Sequence, residues 1–436
     1  MTDITALDFL DIQAIKYLRQ NKRVERQTLK EALSISYPTT QKVIKGLIDK
    51  NIIDDRLNIL ATNKLVFWGI SFGASEVKIC LVNFRFEFVS SVEYRKHFTQ
   101  VGEMLSESSD EIANVPNCIL GNYICYKTPQ NREAFSTLLN SILRSIMLFC
   151  QEQDDYKTSG IGLAFSGAVD KINGILKKAI NIQYLEDIQI EKEIRQDIRE
   201  FFDNKKVRFV FDHNAKAAAI AEKEALYDLL NQDDSLRDPL LPGGIKGRNM
   251  LCLYLGTGVG AGLILDNRLY TGSLNFSGEI GHFPISFYGN ASFNISGWDT
   301  LFSSEQLENS RCTCGRTNCF EYYVRHLDKY LQSCQSQNNI PVAHQILGTL
   351  IGHVINAIVN LLNIDMVVCT GRLTKYYSQI EKHIQYEMTK NGVSYTRNCC
   401  SIRSSQNGKL APSKGAAIEA YYAFINDSPD WDISGK

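Results

Sequence analysis

The chain has 436 residues, with Lys+Arg 47 against Asp+Glu 48 and a formal net charge of -1. That length exceeds one ordinary hydrophobic core and predicts two or three domains. The charge balance excludes a global field for nucleic acid or membrane, so any basic surface must be local.

The amino terminus, MTDITALDFLDIQAI, is acidic and has no basic region ahead of an apolar core, and no run of eighteen apolar residues follows. The expectation is a soluble, cytoplasmic protein with no membrane partner. Most of the twelve cysteines sit in apolar segments such as KICLVNF and NMLCLYL, as reduced cytosolic thiols do. Only Cys312, Cys314 and Cys319 are close enough in sequence to suggest ligands, and three thiolates leave a tetrahedral zinc one donor short.

Along the chain, helical periodicity comes first. DFLDIQAIKYLRQ (8–20) and ERQTLKEAL (25–33) each carry an apolar stripe, and a third helix begins after Ser36, a credible N-cap with Pro38 in the first turn. Val43, Ile44, Leu47 and Ile48 predict its buried face. Thr39, Thr40, Gln41, Lys42 and Lys45 predict the other face, with groups that hydrogen-bond base edges and phosphates. NIIDDRLNILA then reads as two short strands about a polar turn. Residues 16–50 also include Lys16, Arg19, Lys22, Arg23, Arg26, Lys30 and Lys50 against three acids, so residues 1–62 read as a winged helix-turn-helix that binds DNA. A protein-interaction module with a solvated basic face is the alternative.

From Leu65 the texture is α/β: apolar strands recur at LVFWGISFG, EVKICLVNF, RFVF, NMLCLYL, AGLIL and DMVVCT with helical segments between them. No internal repeat stands out, and residues 228–248 read as a long surface loop. The glycine-rich LYLGTGVGAGLIL predicts a tight hairpin at Gly256, Thr257 and Gly258, whose backbone amides suit a phosphate, although such hairpins also occur without a ligand. GEIGH follows and supplies His282, a fourth donor to set beside the three cysteines.

The succession LGTGVGAGLI, GEIGH and CTCGRTNCFE resembles the ROK family of repressors and sugar kinases, and the front module resembles its transcriptional-regulator branch. The family motif CxCGxxGCxE is matched except at Asn318, where glycine is usual, and His282 lies farther from Cys312 than is usual, which implies an elaborated loop. The resemblance implies an actin-like, hexokinase-type body of two subdomains, over 66–222 plus about 405–430 and over 223–404. It implies structural Zn2+ on His282, Cys312, Cys314 and Cys319, and a monosaccharide or derivative held by Gly167, Asn181, His213, Asn214, Glu279, His282 and Glu321.

Where family kinases resemble ENDANAAALAE, this chain has DHNAKAAAIAE (212–222), which sets Asn214 at the position of the catalytic Asp. An amide cannot serve as general base, and that assistance is typically worth ~10²–10⁴-fold. The phosphate motif DIGGTK is represented by SFGASE, which retains Gly73 and keeps a hydroxyl at Ser75 but puts Ser71 for Asp and Glu76 for Lys. Arg372 replaces a second glycine near the nucleotide. The sequence therefore predicts a sugar-responsive regulator, a repressor that binds operator DNA as a homodimer or higher oligomer, with no catalysis. A sugar kinase with a DNA-binding head, and a regulator that answers a protein partner, are the alternatives.

Overall fold

The computed structural model describes residues 7, 9–21, 24–60, 64–98, 122–179, 182–229, 236, 246–285, 298–303, 310–333 and 339–426. Asn181, Lys22 and Arg23 lie outside them, as do most of the loop expected at 228–248 and part of the segment between His282 and Cys312.

Three helices form the head: α1 (Phe9–Gln20), α2 (Arg26–Leu33) and α3 (Tyr37–Asp49). Ser36 caps α3 by accepting from the backbone N–H of Thr39 at 3.3 Å, a contact typically worth ~1 kcal/mol. Ile53 and Ile59 then pair as an antiparallel bridge, and Asp54 accepts from the backbone N–H groups of Arg56 and Asn58 in the turn between them. Ala14, Ile15, Leu29, Val43, Ile44 and Leu47 are buried among these elements.

Two expectations for the head need correction. Thr40 is fully buried and donates to the Ser36 carbonyl, because it stands three and four residues before Val43 and Ile44 on the core face. Arg19 and Lys50 do not add to an outward basic patch: Arg19 is turned into the body, and Lys50 pairs with Asp11 at 2.5 Å.

The body contains two five-stranded sheets of the same design. The first holds β1 (Leu65–Phe72), β2 (Glu76–Asn83), β3 (Tyr123–Lys127) and β4 (Lys157–Phe165). A small sheet of β5 (Ala168–Asp170), β6 (Ile175–Lys178) and β7 (Ile188–Gln189) follows, and β8 (Arg208–His213) then completes the first. Its order is β3-β2-β1-β4-β8, with the β1–β2–β3 meander antiparallel and β4 and β8 parallel to β1. The second sheet comprises β9 (Met250–Leu255), β10 (Val259–Leu265), β11 (Arg268–Tyr270), β12 (Met366–Thr370) and β13 (Ser401–Ser404) in the order β11-β10-β9-β12-β13. There too an antiparallel meander is extended by two parallel strands.

Each sheet has an outer helical layer. Helix α4 (Arg132–Glu152) buries Phe135, Leu139, Ile142 and Phe149 in the first lobe's core, where Trp68 meets Phe149 edge-on at 5.3 Å. Helix α5 (Gln196–Asn204) adds Ile198 and Phe202 to that core. In the second lobe the outer layer is α7 (Phe320–Ser333), α8 (Ile340–Leu362) and α9 (Tyr377–Asn391), with α6 (Asn214–Leu229) on the opposite face. Helix α8 is long and apolar enough to cross a membrane, but Ile346, Leu347, Leu350, Ile351 and Val354 are buried in this lobe's core.

The inner layer is shared. Helix α10 (Ala411–Asn426) packs on β1 and β4 and also on α6, which in turn packs on β9 and β10. The approach is close enough to require glycine: a Cβ on Gly162 would lie 1.9 Å from the Ala416 carbonyl oxygen, and one on Gly415 would lie 1.7 Å from that of Ala217. The alanine run of 215–221 suits α6 to the same narrow space.

Candidate functional site

The two sheets present equivalent hairpins to one cleft of about 360 Å³. Gly73 and Ser75 lie in the turn between β1 and β2; Gly256, Thr257 and Gly258 lie in the turn between β9 and β10. Their tips meet, with Ser75 Oγ and Thr257 Oγ1 3.3 Å apart. Beyond the tips, Glu76 pairs with Lys78, and Arg372 pairs with Asp328. Burial opposes ionisation of Glu76, yet Lys78, Lys409 and Arg372 hold its carboxyl below its ordinary value. A carboxylate of the protein thus stands among the cations at this end of the cleft.

The other end is built at the start of α6. Strand β8 delivers His213 and Asn214 to the helix N-terminus, and both line the cleft with Gly167, Glu279, His282 and Glu321. Asn214 donates its Nδ2 hydrogens to the Phe72 carbonyl at 3.0 Å and to Ser166 Oγ at 3.1 Å. Its amide is therefore oriented, and the buried Oδ1 has no partner among the described residues. The side chain offers a fixed hydroxyl acceptor and no base. Burial lowers the His213 imidazole below its ordinary value despite Glu279, so the ring is neutral near pH 7. Its Nδ1 accepts from the Ala215 backbone N–H at 3.3 Å, which leaves Nε2 as the donor.

Glu321 is buried at the start of α7, and its Oε2 accepts from the Val259 backbone N–H at 2.8 Å. It braces the second hairpin from beneath. Glu279 remains about half exposed, with His282 Nε2 3.9 Å from its carboxylate. Nearby, Asn275 of the second lobe donates to the Val169 carbonyl of the first at 2.8 Å, and Lys216 of α6 donates to Asn275 Oδ1 at 3.0 Å.

Under Glu279 the cysteine loop closes on His282. The donor atoms of His282, Cys312, Cys314 and Cys319 all lie within 4.8 Å of one another. Cys312 Sγ is 3.6 Å from His282 Nδ1, and Cys314 Sγ is 3.6 Å from Cys319 Sγ. Bonds of about 2.3 Å from one zinc to tetrahedral sulfurs would space those sulfurs by about 3.8 Å, so the residues fit the ion in number, type and distance. Burial, reinforced by the adjacent thiols, pushes the Cys319 thiol up to about 12, a penalty on the thiolate that a divalent cation would remove. Asn318 adopts φ 59°, a left-handed conformation that glycine and asparagine tolerate, so the departure from the usual glycine leaves the turn possible. Its Oδ1 also accepts from Ser310 Oγ and Tyr323 Oη.

Some lining residues escaped the sequence reading: Ser166, Lys178, Phe276, Arg316 and Lys409. Arg316 lies inside the cysteine motif and was legible in position though not in role. Lys409 comes from the short turn Gly408–Leu410 just before α10, far away in sequence, and no local pattern marks it.

Residues 243–421 match the ROK family. The xylose repressor of Bacillus subtilis (strain 168) is 24% identical over 279 residues, which covers 60% of this chain and 61% of that protein. A glucokinase of Halalkalibacterium halodurans is 25% identical over 162 residues, 37% of this chain and 36% of the other. The chain thus aligns with about three fifths of the repressor's length. Among solved structures, a ROK family transcriptional regulator homologous to the E. coli MLC protein shares the fold with a TM-score of 0.63 at 15% identity, covering 95% of this chain and 96% of that one. The body accordingly has the α/β, actin-like architecture of ROK hexokinases and regulators.

Proposed function

This chain carries a ROK family domain over residues 243–421, and from that premise we propose that it is a sugar-responsive transcriptional regulator whose kinase-like body works as a sensor in the cytoplasm. The observation that carries the reading is Asn214: at the start of α6, where a kinase needs a base, stands an amide held by two donated hydrogen bonds. Such a group can accept a hydrogen from a sugar hydroxyl and cannot take the proton away. At the opposite end Glu76 occupies a cationic environment, and the hairpin tips touch, so the features that oppose phosphoryl transfer sit on both sides of it.

His213, Asn214 and Glu279, with Glu321 behind the second hairpin, supply a neutral donor, a fixed acceptor and anionic acceptors, a set suited to sugar hydroxyls. Gly167, which lines the cleft, belongs to the same proposed subsite. Xylose is the first sugar to test, because the relatives include xylose repressors. Zn2+ on His282, Cys312, Cys314 and Cys319 would be structural, since four protein donors leave no position for substrate. It would hold the segment that carries Glu279 and leave His282 Nε2 facing that carboxylate.

The head acts as a winged helix-turn-helix with α3 as the helix that enters the major groove. Lys42 and Lys45 are exposed on α3, while Thr39 and Gln41 are half-buried beside them. One such module contacts few base pairs, so a homodimer or higher oligomer on a two-fold operator follows. A sugar that changes lobe closure shifts the placement of paired heads and hence DNA affinity.

Selection of DNA fragments from a random pool by the full chain, at near-physiological salt, tests this reading. A dyad-symmetric site should emerge. Lys42→Ala or Lys45→Ala should then weaken binding and flatten its salt dependence by about one charge each. Folded, metal-loaded protein that enriches no sequence would remove the regulator reading, and ATP-dependent phosphorylation of any hexose or pentose would favour the kinase that the glucokinase similarity suggests.

A further inference from the structure

The head is not an appendage on a linker. Its core residues, Ala14, Leu18, Leu47 and Ile52 among them, belong to one apolar cluster with Phe84, Phe86, Tyr421 and the inner faces of α6 and α10. At the centre of that continuity Arg19 of α1 leaves the head and enters an aromatic box. Its guanidinium carbon lies 3.6 Å from the Phe86 ring centroid, 4.9 Å from that of Tyr421 and 6.0 Å from that of Phe84. It also donates to the Phe84 carbonyl. The rings brace one another, with Tyr421 meeting Phe84 and Phe86 edge-on at 4.9 and 4.8 Å.

The box is closed by α6. Glu224 is buried, and its Oε1 accepts from Tyr422 Oη at 2.7 Å. Its two predecessors are buried as well, and each reaches a different part of the body. Glu222 accepts from Ser405 Oγ and the backbone N–H groups of Gln406 and Asn407, at the entry to α10. Lys223 donates to the Gly247 carbonyl and Asn267 Oδ1 in the second lobe. The other end of the same helix carries Asn214 in the cleft and Lys216 on Asn275. Ten residues separate Asn214 from Glu224, about 15 Å of helix, rigid on that scale.

We infer that Arg19 is a positioning residue that clasps the DNA-binding head to α6 and α10, so that movement of α6 at the sugar cleft is delivered to α1. The guanidinium suits the role, because a planar cation stacks on rings and forks to a carbonyl together, whereas an ammonium does neither well. Beside the clasp lies a crevice lined by Asn58 and Leu60 of the head hairpin and by Arg85, Glu87 and Asp228 of the body, where the two parts are not packed tightly. The head is thus joined to the body through the apolar cluster and Arg19, with the crevice bordering that contact. The inference rests on the sensor reading for its biological sense, while the clasp stands on geometry alone.

Two measurements on the full chain separate these. In hydrogen exchange, Arg19→Ala and the milder Arg19→Lys should raise amide exchange in α1 at least tenfold, while α4 and α8 keep their protection. Unchanged exchange in α1 would overturn the clasp. In the second, the operator selected above is titrated with and without D-xylose. Wild type should show a sugar-dependent shift, and Arg19→Lys should lose it while keeping its sugar-free DNA affinity and its thermal stabilisation by D-xylose. A variant with the full sugar response would overturn the delivery of movement through Arg19. A wild type indifferent to D-xylose on DNA and in melting would instead sink the xylose-sensor reading, and the exchange result alone then decides the clasp.

Discussion

The two lobes repeat one design, a three-stranded meander extended by two parallel strands, with the first hairpin aimed at the cleft. They differ in what stabilises that hairpin. In the second lobe Glu321 accepts from Val259 beneath the turn, and the donor atoms of a histidine and three cysteines gather within 4.8 Å of one another in the adjoining segment. In the first lobe the turn is followed by Glu76, whose charge is spent on local cations, and faces Asn214. One design thus meets the cleft with two different chemistries, a hairpin braced by a buried carboxylate beside a cluster of metal-ligand type and a hairpin followed by an ion-paired glutamate.

The largest expected effect is at the cysteine cluster of the second lobe. Metal binding of this donor set contributes on the order of 10 kcal/mol in small domains, so chelation or Cys314→Ser should release zinc and strongly lower the melting temperature of the second lobe. Metal analysis alongside calorimetry checks this; a metal-free wild type of equal stability would show that the bridges Pro284↔Cys319 and Arg311↔Thr317 suffice.

The layer between the lobes comes next. Gly415→Ala should cost roughly 3 kcal/mol, because its Cβ must displace the Ala217 carbonyl oxygen 1.7 Å away and push α10 from α6. Denaturant unfolding would reveal it, and a neutral variant would mean that the helices separate easily.

At the start of α6, Asn214→Asp exchanges two donated hydrogen bonds for a carboxylate facing the Phe72 carbonyl, a loss of about 1–3 kcal/mol. It should confer no sugar phosphorylation, since Ser71 and Glu76 remain. Turnover of ATP with any sugar would show that one residue separates this cleft from a kinase.

The smallest effect concerns Lys216, which holds Asn275. Burial, chiefly, lowers the Lys216 ammonium to about 8. Its folded pKa lies below its unfolded one, so the buried charge costs stability fully below pH 8, and the cost fades as pH rises towards 10. Relative to Lys216→Met, wild type should therefore gain on the order of 1–2 kcal/mol between pH 7.5 and 9.5 in paired urea titrations. Parallel profiles would show that Lys216 is already solvated in the closed cleft.

By itself the sequence determined the local elements and the chemistry of the motifs. The helical stripes of α1 and α3, the Ser36 cap, the strands around LYLGTGVGAGLIL and the CTCGRTNC donor set are all written in neighbouring residues, because periodicity, capping and ligand type act over a few positions. The same reasoning failed at Thr40, where a polar residue type hid a core position, and at Arg19, whose charge pointed to DNA. The duplicated sheet order was invisible as a repeat, since backbone pairing recurs without recurrence of side chains. Only the tertiary structure decided that Glu224 of α6 and Tyr421 and Tyr422 of α10 close a box around a cation from the head, and that Ser75 meets Thr257 182 positions away. Such partners are set by how helices and sheets pack, and contacts between distant segments leave no local pattern to read.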